Sequence, residues 1–232
     1  MKIEGSTALV TGANRGLGLA YAKALLAAGA RKVYAGARDP ATVTLEGVVP
    51  VRLDVTSAAD LAAAAAQCAD VDLVINNAGV IGSVPLLADD GVVAMRGVLE
   101  TNLYGMLAVS RAFAPVLRAN GGGALVNMLS ALSWASLPGS SAYSVSKASA
   151  WALTNGLRNE LRGQGTLVVG VHAGYIDTDM VKDVEAPKSR PEDIVQAVLE
   201  GIEANAPEVL ADDTSRHVKA GFAATPPLYA AG

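Results

Sequence analysis

Cysteine and histidine are almost missing from this sequence: one Cys and two His among 232 residues. With a single thiol, Cys68, no disulfide closes within the chain, which fits a reducing compartment. Cys68 follows an alanine run on an expected helix and reads as packing. One Cys and two His do not complete a zinc cage, so no metal is expected. Aromatic residues reach only 4%, which leaves Ala, Val and Leu to build the core. Charged residues are 17% against 51% hydrophobic, a balance that excludes a disordered chain. The 18 basic and 22 acidic residues leave a formal charge of −4. The basic ones form no stripe that would neutralise phosphates, so no nucleic-acid partner is expected. Long apolar runs are lacking too. The nearest, Gly97 to Phe113, is broken by Glu100, Asn102 and Arg111, short of the roughly 18 residues a membrane helix needs. The N-terminus has no stretch resembling a signal peptide, so a cytoplasmic protein without a membrane partner is expected.

What is present is alternation. Apolar β runs occur at Thr7–Thr11, Lys32–Ala37, within 48–55, and at Val71–Asn76, Ala124–Leu129 and Leu167–His172, with a short one near Val209 and Leu210. Between them lie helical patterns. One covers Leu17 to Ala28 and is stopped by Gly29; others cover Gly91 to Arg118 and Ala142 to Arg162. Another begins at Pro191, and Thr56 or Ser57 suits the cap of one with Asp60 in its first turn. The stretch from Arg38 to Gly47 is too short for a crossover helix and predicts one turn at most. Nearly all-apolar strands separated by helices imply an α/β fold: a parallel, doubly wound sheet covered on both faces, in one domain over 1–232. Two helices are unusual for a surface. Leu103–Leu117 is apolar nearly all round and Ala142–Leu157 is rich in small residues. Deeper burial in a monomer is one account; a subunit interface is the one preferred here.

The first strand runs straight into Thr11-Gly12-Ala13-Asn14-Arg15-Gly16-Leu17-Gly18. One glycine makes a tight turn, one lets backbone approach a phosphate, and one lets the helix lie close to the sheet. The helix start then presents N–H groups to a pyrophosphate. A glycine-rich turn is often only a turn; its place directly after the first strand points to a nucleotide. The second strand ends at Arg38, about twenty residues after Gly18, where such sites read the adenosine ribose. Arg38 and Arg15 suit a 2′-phosphate, so NADP is expected over NAD, with Asp39 weakening the preference.

Tyr143 and Lys147 open the long helix four residues apart and share one of its faces. A phenol titrates near 10, and a neighbouring ammonium is expected to lower it. Ser130 follows the fifth strand, where strand ends line the ligand crevice. Its hydroxyl is placed to bond the substrate oxygen that exchanges a proton with Tyr143.

With these residues assembled, the chain resembles the short-chain dehydrogenase/reductase family over nearly its whole length. The resemblance rests on TGANRGLG at 11–18, Asp54 in LDVT, NNAG at 76–79, Asn102 in ETNLYG, Ser130, and YSVSK at 143–147. It implies a seven-stranded parallel sheet, a homodimer or homotetramer, and NAD(P)-dependent exchange between a carbonyl and an alcohol. It implies Tyr143 as general acid/base, Ser130 positioning the substrate oxygen, Lys147 on the nicotinamide ribose, and Asn102 holding a water in a proton relay. Asp54 and the adjacent Val55 would meet the adenine, and Asn77, Ala78 and Gly79 would pass beside the adenosine. The family often carries Pro-Gly after the sixth strand. Here Ala173-Gly174 stands instead, and losing the fixed φ is expected to loosen that loop. Gly174, Ile176 and Thr178 remain able to meet the nicotinamide amide and a phosphate, and His172 reads as structural.

Val80, Ile81, Leu132, Trp134, Leu137 and Tyr175 are the expected pocket, suiting an apolar ketone, aldehyde or alcohol. The lid is expected at about 178–190. A second reading is an NADP-binding sensor or scaffold without turnover. Such proteins usually lack the Tyr or the Lys, and this chain has both. An epimerase or dehydratase is a third reading, but it normally carries a longer substrate region than the sixty or so residues after His172.

Overall fold

The computed structural model describes residues 1–230. Seven parallel strands form one sheet: β1 (Thr7–Thr11), β2 (Lys32–Ala37), β3 (Val49–Arg52), β4 (Leu73–Asn76), β5 (Ala124–Met128), β6 (Leu167–His172) and β7 (Glu208–Leu210). Their order is β3-β2-β1-β4-β5-β6-β7, and their number and parallel sense are those the resemblance implied. Winding reverses between β1 and β4, where Val10 pairs with Ile75, so a crevice opens above the carboxyl ends of these two strands.

The period-2 pleat distributes β1 between two cores. Ala8 and Val10 face one layer with Tyr21 and Leu25 of α1 (Gly16–Ala27) and Val198 and Ile202 of α6 (Pro191–Glu203). Leu9 faces the other, with Leu61 of α2 (Ala58–Gln67), Phe113 of α4 (Met106–Ala119) and Leu157 of α5 (Ser141–Leu161). Ser57 caps α2 by accepting from the Asp60 N–H at 3.2 Å, and Pro191 opens α6. Cys68 is buried in the second core, and burial pushes its thiol up to about 12.

Two local differences from the sequence reading matter, beside one expectation that holds. The stretch from Gly91 is not one uniform helix. It runs as α3 (Gly91–Leu99), a π turn over Glu100–Gly105, then α4. The connection after β2 holds a single 3₁₀ turn, Pro40–Thr42, within the one turn expected. The chain also adds α7 (Asp213–Ala220) after β7, an eight-residue helix whose short, polar pattern gave no apolar periodicity to find. Across the β4–β5 pair, Asn76 Nδ2 donates to Asn127 Oδ1 at 2.9 Å, and Asn127 Nδ2 donates to Thr154 Oγ1 of α5 at 2.9 Å. This buried polar ladder fixes α5 against the sheet in one register. Among the described residues, no helix is long and apolar enough to cross a membrane.

Phe113 is fully buried between α4 and the sheet. Phe113→Ala is expected to cost about 3–5 kcal/mol, read as a lower urea midpoint with unchanged slope.

Candidate active site

The glycine turn is pinned to the end of β4 through one hydroxyl. Thr11 Oγ1 donates to the Ile75 carbonyl at 3.3 Å and accepts the N–H groups of Asn77 and Ala78, each at 3.0 Å. Asn77 Nδ2 returns a bond to the Thr11 carbonyl at 2.9 Å. Gly12 turns the chain with φ +67°, and a Cβ on Gly18 would stand 2.1 Å from the Gly12 carbonyl oxygen, so only glycine lets α1 start there. At the start of α1, Arg15 is extended and no described side chain closes the first turn. The amides of Gly16, Leu17 and Gly18 open this helix beneath the crevice. Bare donors and a positive helix end fit a pyrophosphate. Sequence reading singled out the glycines but missed Thr11, whose role depends on β4 lying alongside.

At the other end of this groove, Asp54 Oδ1 accepts from the Thr56 N–H at 2.9 Å and the Thr56 hydroxyl at 2.7 Å. These bonds hold its carboxyl below the usual carboxylate range, with Arg38 and Arg52 adding to the effect. The neighbouring Val55 is buried. Arg38 is exposed just past β2, while Asp39 is occupied capping the 3₁₀ turn through the Ala41 N–H. Arg15 is exposed and pairs with Asp179 at 3.8 Å, while Asn14 bonds Thr42 at 3.1 Å. The groove therefore keeps two solvent-facing guanidinium groups, and Asp39 is committed to backbone.

Ser130 follows β5 in extended backbone. Its Oγ accepts from the Leu132 N–H at 3.1 Å and lies near the Ala173 carbonyl at 3.4 Å. Tyr143 comes from the first turn of α5, with its phenol near the Ser130 side chain. Lys147 is buried one turn on, and its Nζ donates to the Met128 carbonyl at 2.7 Å while standing 5.6 Å from the Tyr143 ring centre. The three residues are brought together as the sequence implied.

The expected acidification is corrected. Burial pushes the Tyr143 phenol up to about 12, against a smaller downward pull from Ser130. Burial likewise takes Lys147 down to about 8. The ammonium is spent on Met128, so in the protein alone desolvation outweighs the attraction that adjacency suggested.

Asn102 lies in the π turn and is buried. Its Oδ1 accepts from the Val80 N–H at 2.8 Å, and its Nδ2 donates to the Val80 carbonyl and to Ser146 Oγ, each at 2.9 Å. Both side-chain amide hydrogens are thus committed to bracing the 76–80 loop against α5. Gly79 stands within this brace, its would-be Cβ 3.2 Å from Asn102 Oδ1.

His172, fully buried at the end of β6, approaches the Ser130 carbonyl with Nδ1 at 2.9 Å and stacks on Trp134 at 3.7 Å. Nε2 has no hydrogen-bond partner among the described residues. It lies 3.6 Å from Glu208, which also pairs with Lys219. This imidazole is lowered to about 4, chiefly by burial, with the Lys219 and Lys147 cations adding to the effect and the Ser130 carbonyl opposing it. Although Glu208 favours the charged form, burial and the cations dominate for a ring without exposure. The neutral tautomer carries its proton on Nδ1, facing the carbonyl.

Trp134 is corrected as a pocket residue: its ring is buried among His172, Trp151 and Phe222. Val80, Ile81 and Leu137 are exposed, while Leu132 and Tyr175 are half-buried. The segment after β6 returns on itself. Ile176 bridges Ser189, and a Cβ on Gly16 would stand 3.4 Å from Thr178 Cγ2, placing Thr178 over the start of α1.

Comparison with known proteins gives one answer. The pattern of a family described as short chain dehydrogenase matches residues 6–189. Galactitol 2-dehydrogenase (L-tagatose-forming) of Cereibacter sphaeroides is 35% identical over 82% of this chain and 78% of its own. Short chain dehydrogenase tazN of Aspergillus terreus is 34% identical over 80% of this chain, which spans only 44% of that relative. The crystal structure of a short chain dehydrogenase from Burkholderia cenocepacia in complex with NADP superposes with a TM-score of 0.93. It is 42% identical and covers 97% of this chain and 96% of its own.

A histidine held neutral adds nothing above its unfolded value near 6.5, and it destabilises the fold as pH drops from there toward 4, because only the unfolded state takes up the proton. Urea unfolding of the wild type is expected to weaken across that window more steeply than that of His172→Gln, by up to about 1.4 kcal/mol per pH unit. Parallel slopes would contradict the assignment.

Proposed function

The chain belongs to the short-chain dehydrogenase family, and from that membership and the site we propose hydride exchange between NADP(H) and a carbonyl/alcohol pair. The observation that carries this is the meeting of the Tyr143 phenol, the Ser130 hydroxyl and the Lys147 ammonium above the end of β5. The glycine turn, Gly12, Asn14, Arg15, Gly16, Leu17 and Gly18, would hold the pyrophosphate and adenosine phosphates. Asp54, Val55, Asn77, Ala78 and Gly79 would border the adenosine, and Gly174, Ile176 and Thr178 the nicotinamide end. When bound, the nicotinamide supplies or accepts the hydride.

In reduction, the Tyr143 O–H bond breaks as its proton passes to the substrate oxygen, whose carbon gains the hydride. Ser130 donates a hydrogen bond to the negative charge developing on that oxygen. The Lys147 ammonium, one turn away, offsets the charge left on the phenolate. Burial keeps Tyr143 protonated at neutral pH, so the protein alone is poised as an acid and favours reduction. Asn102 would orient the proton route to solvent through the backbone it braces.

Arg38 and Arg15, both exposed, with Arg15 beside Asp179 and Arg38 in the field of Asp54, support NADP over NAD. The apolar rim of Val80, Ile81 and Leu137 supports an apolar ketone, aldehyde or alcohol, with 178–190 closing over it. Both Tyr143 and Lys147 being in place supports an enzyme over a sensor. Tyr104 of the π turn and Val145 of α5 are exposed apolar groups beside these helices, supporting a homodimer or homotetramer through them.

Tyr143→Phe is expected to lower kcat by about 10²- to 10⁴-fold on any accepted substrate while leaving NADPH affinity near wild type. Full turnover would refute the assignment. Arg38→Ala is expected to weaken NADPH binding about tenfold and leave NADH unchanged, measured by calorimetry. With the phenol held at about 12, carbonyl reduction is expected to stay level from pH 7 to 10, while alcohol oxidation, which needs the phenolate, rises by up to about tenfold per pH unit.

A further inference from the structure

Ala173 has no ring to fix the backbone where the chain leaves β6, yet the loop that follows is tied at its neck to one buried carboxylate. Asp212 Oδ2 accepts the Gly174 N–H at 2.7 Å and the Ser189 hydroxyl at 3.3 Å. Its Oδ1 accepts the Ser215 N–H at 2.8 Å and so caps α7. Gly174 and Ser189 are the two ends of the loop. Between them, Ser189 N–H bonds the Tyr175 carbonyl at 2.8 Å and Asp177 N–H bonds the Ser189 carbonyl at 2.9 Å. On the inner side, the Ala173 carbonyl accepts the Ala131 N–H at 2.9 Å and lies near Ser130 Oγ. The neck therefore connects the candidate catalytic serine directly to the segment bearing Ile176 and Thr178.

A helix cap alone does not explain the residue. Ser, Thr or Asn caps an N-terminus as well as Asp does, without the desolvation of a charge that is 7% exposed. Among the described residues no cation lies within 4.0 Å of this carboxylate. The second oxygen is what the cap does not need, and it holds both ends of the loop. The contact is close: a Cβ on Gly174 would fall 2.7 Å from Thr214 Cβ, at the start of the helix that Asp212 caps.

We propose that Asp212 is a positioning residue: it replaces the missing ring constraint by clamping the neck of the 174–189 loop, setting that loop against Ser130 for the nicotinamide end of the cofactor. This rests on the dehydrogenase reading above.

The test separates cap from clamp. In Asp212→Ser the hydroxyl still caps α7 through Ser215 but is too short to reach Gly174. Asp212→Asn keeps one acceptor of full length for Gly174. Two readouts are used, tryptic cleavage after the lid residues Lys182 and Lys188 without cofactor, and calorimetric affinity for NADPH beside adenosine 2′,5′-bisphosphate, which lacks the nicotinamide half. Asp212→Ser is expected to speed lid cleavage at least fivefold and to weaken NADPH about tenfold, with the bisphosphate unchanged within twofold. Asp212→Asn, whose single carbonyl oxygen cannot serve Gly174 and the cap together, is expected to fall between Asp212→Ser and wild type in both readouts. Unchanged lid cleavage in Asp212→Ser overturns the clamp, as does an equal loss of both ligands. If Asp212→Ser does not fold, Ser189→Ala decides by the same cleavage comparison, since it takes one end of the loop off Oδ2 and leaves the cap intact: faster cleavage upholds the clamp and a wild-type rate sinks it. Wild-type protein that binds NADPH no tighter than the bisphosphate would count against the nicotinamide reading, while the cofactor-free cleavage still decides whether Asp212 clamps the loop.

Discussion

A buried ammonium tied to the last carbonyl of a central strand governs the geometry of this site. Lys147 gives its bond to Met128, so α5 meets the sheet at a fixed height and Tyr143 stands one turn above, at the level of Ser130. The Asn76–Asn127–Thr154 ladder fixes the same helix lower down. Buried polar groups of this kind are costly unless paired, so the helix has one satisfied register and no near alternative.

The same economy recurs at each strand end around the crevice. Thr11 closes β1 on β4, Asn102 braces the loop after β4 on α5, and His172 supports the carbonyl of Ser130 from β6. Every one of these groups bonds backbone and leaves the chemistry to a neighbour. The rim above them is built differently: exposed apolar residues and two exposed guanidinium groups, with little internal bonding. Rigid backbone below and open side chains above is the division expected where one scaffold positions an interchangeable surface.

Burial also sets the charge states. Tyr143 and Lys147 are displaced in opposite directions by a shared cause, loss of water, and both shifts favour the uncharged pair in the protein alone. The site is therefore a reservoir of one phenolic proton, whose release calls for positive charge brought close to the hydroxyl.

Much of this was legible in one dimension. The apolar runs marked the strands, since a parallel sheet covered on both faces leaves its inner strands, such as β1 and β5, wholly buried, while edge β3 buries only Val51. The glycines at 12, 16 and 18 and the Tyr143–Lys147 spacing pointed to the candidate site because turn geometry and helical pitch are local properties. The π turn at Asn102, the helix α7 and the Asp212 neck were not legible. Each depends on partners far along the chain, as with Gly174 and Asp212, and no periodicity announces such a contact. By itself the sequence determined a doubly wound parallel sheet and which residues share a face. Only the tertiary structure decided that Lys147 bonds Met128 and that Tyr143 is made a weaker acid, because desolvation is the work of atoms brought near from every layer of the fold.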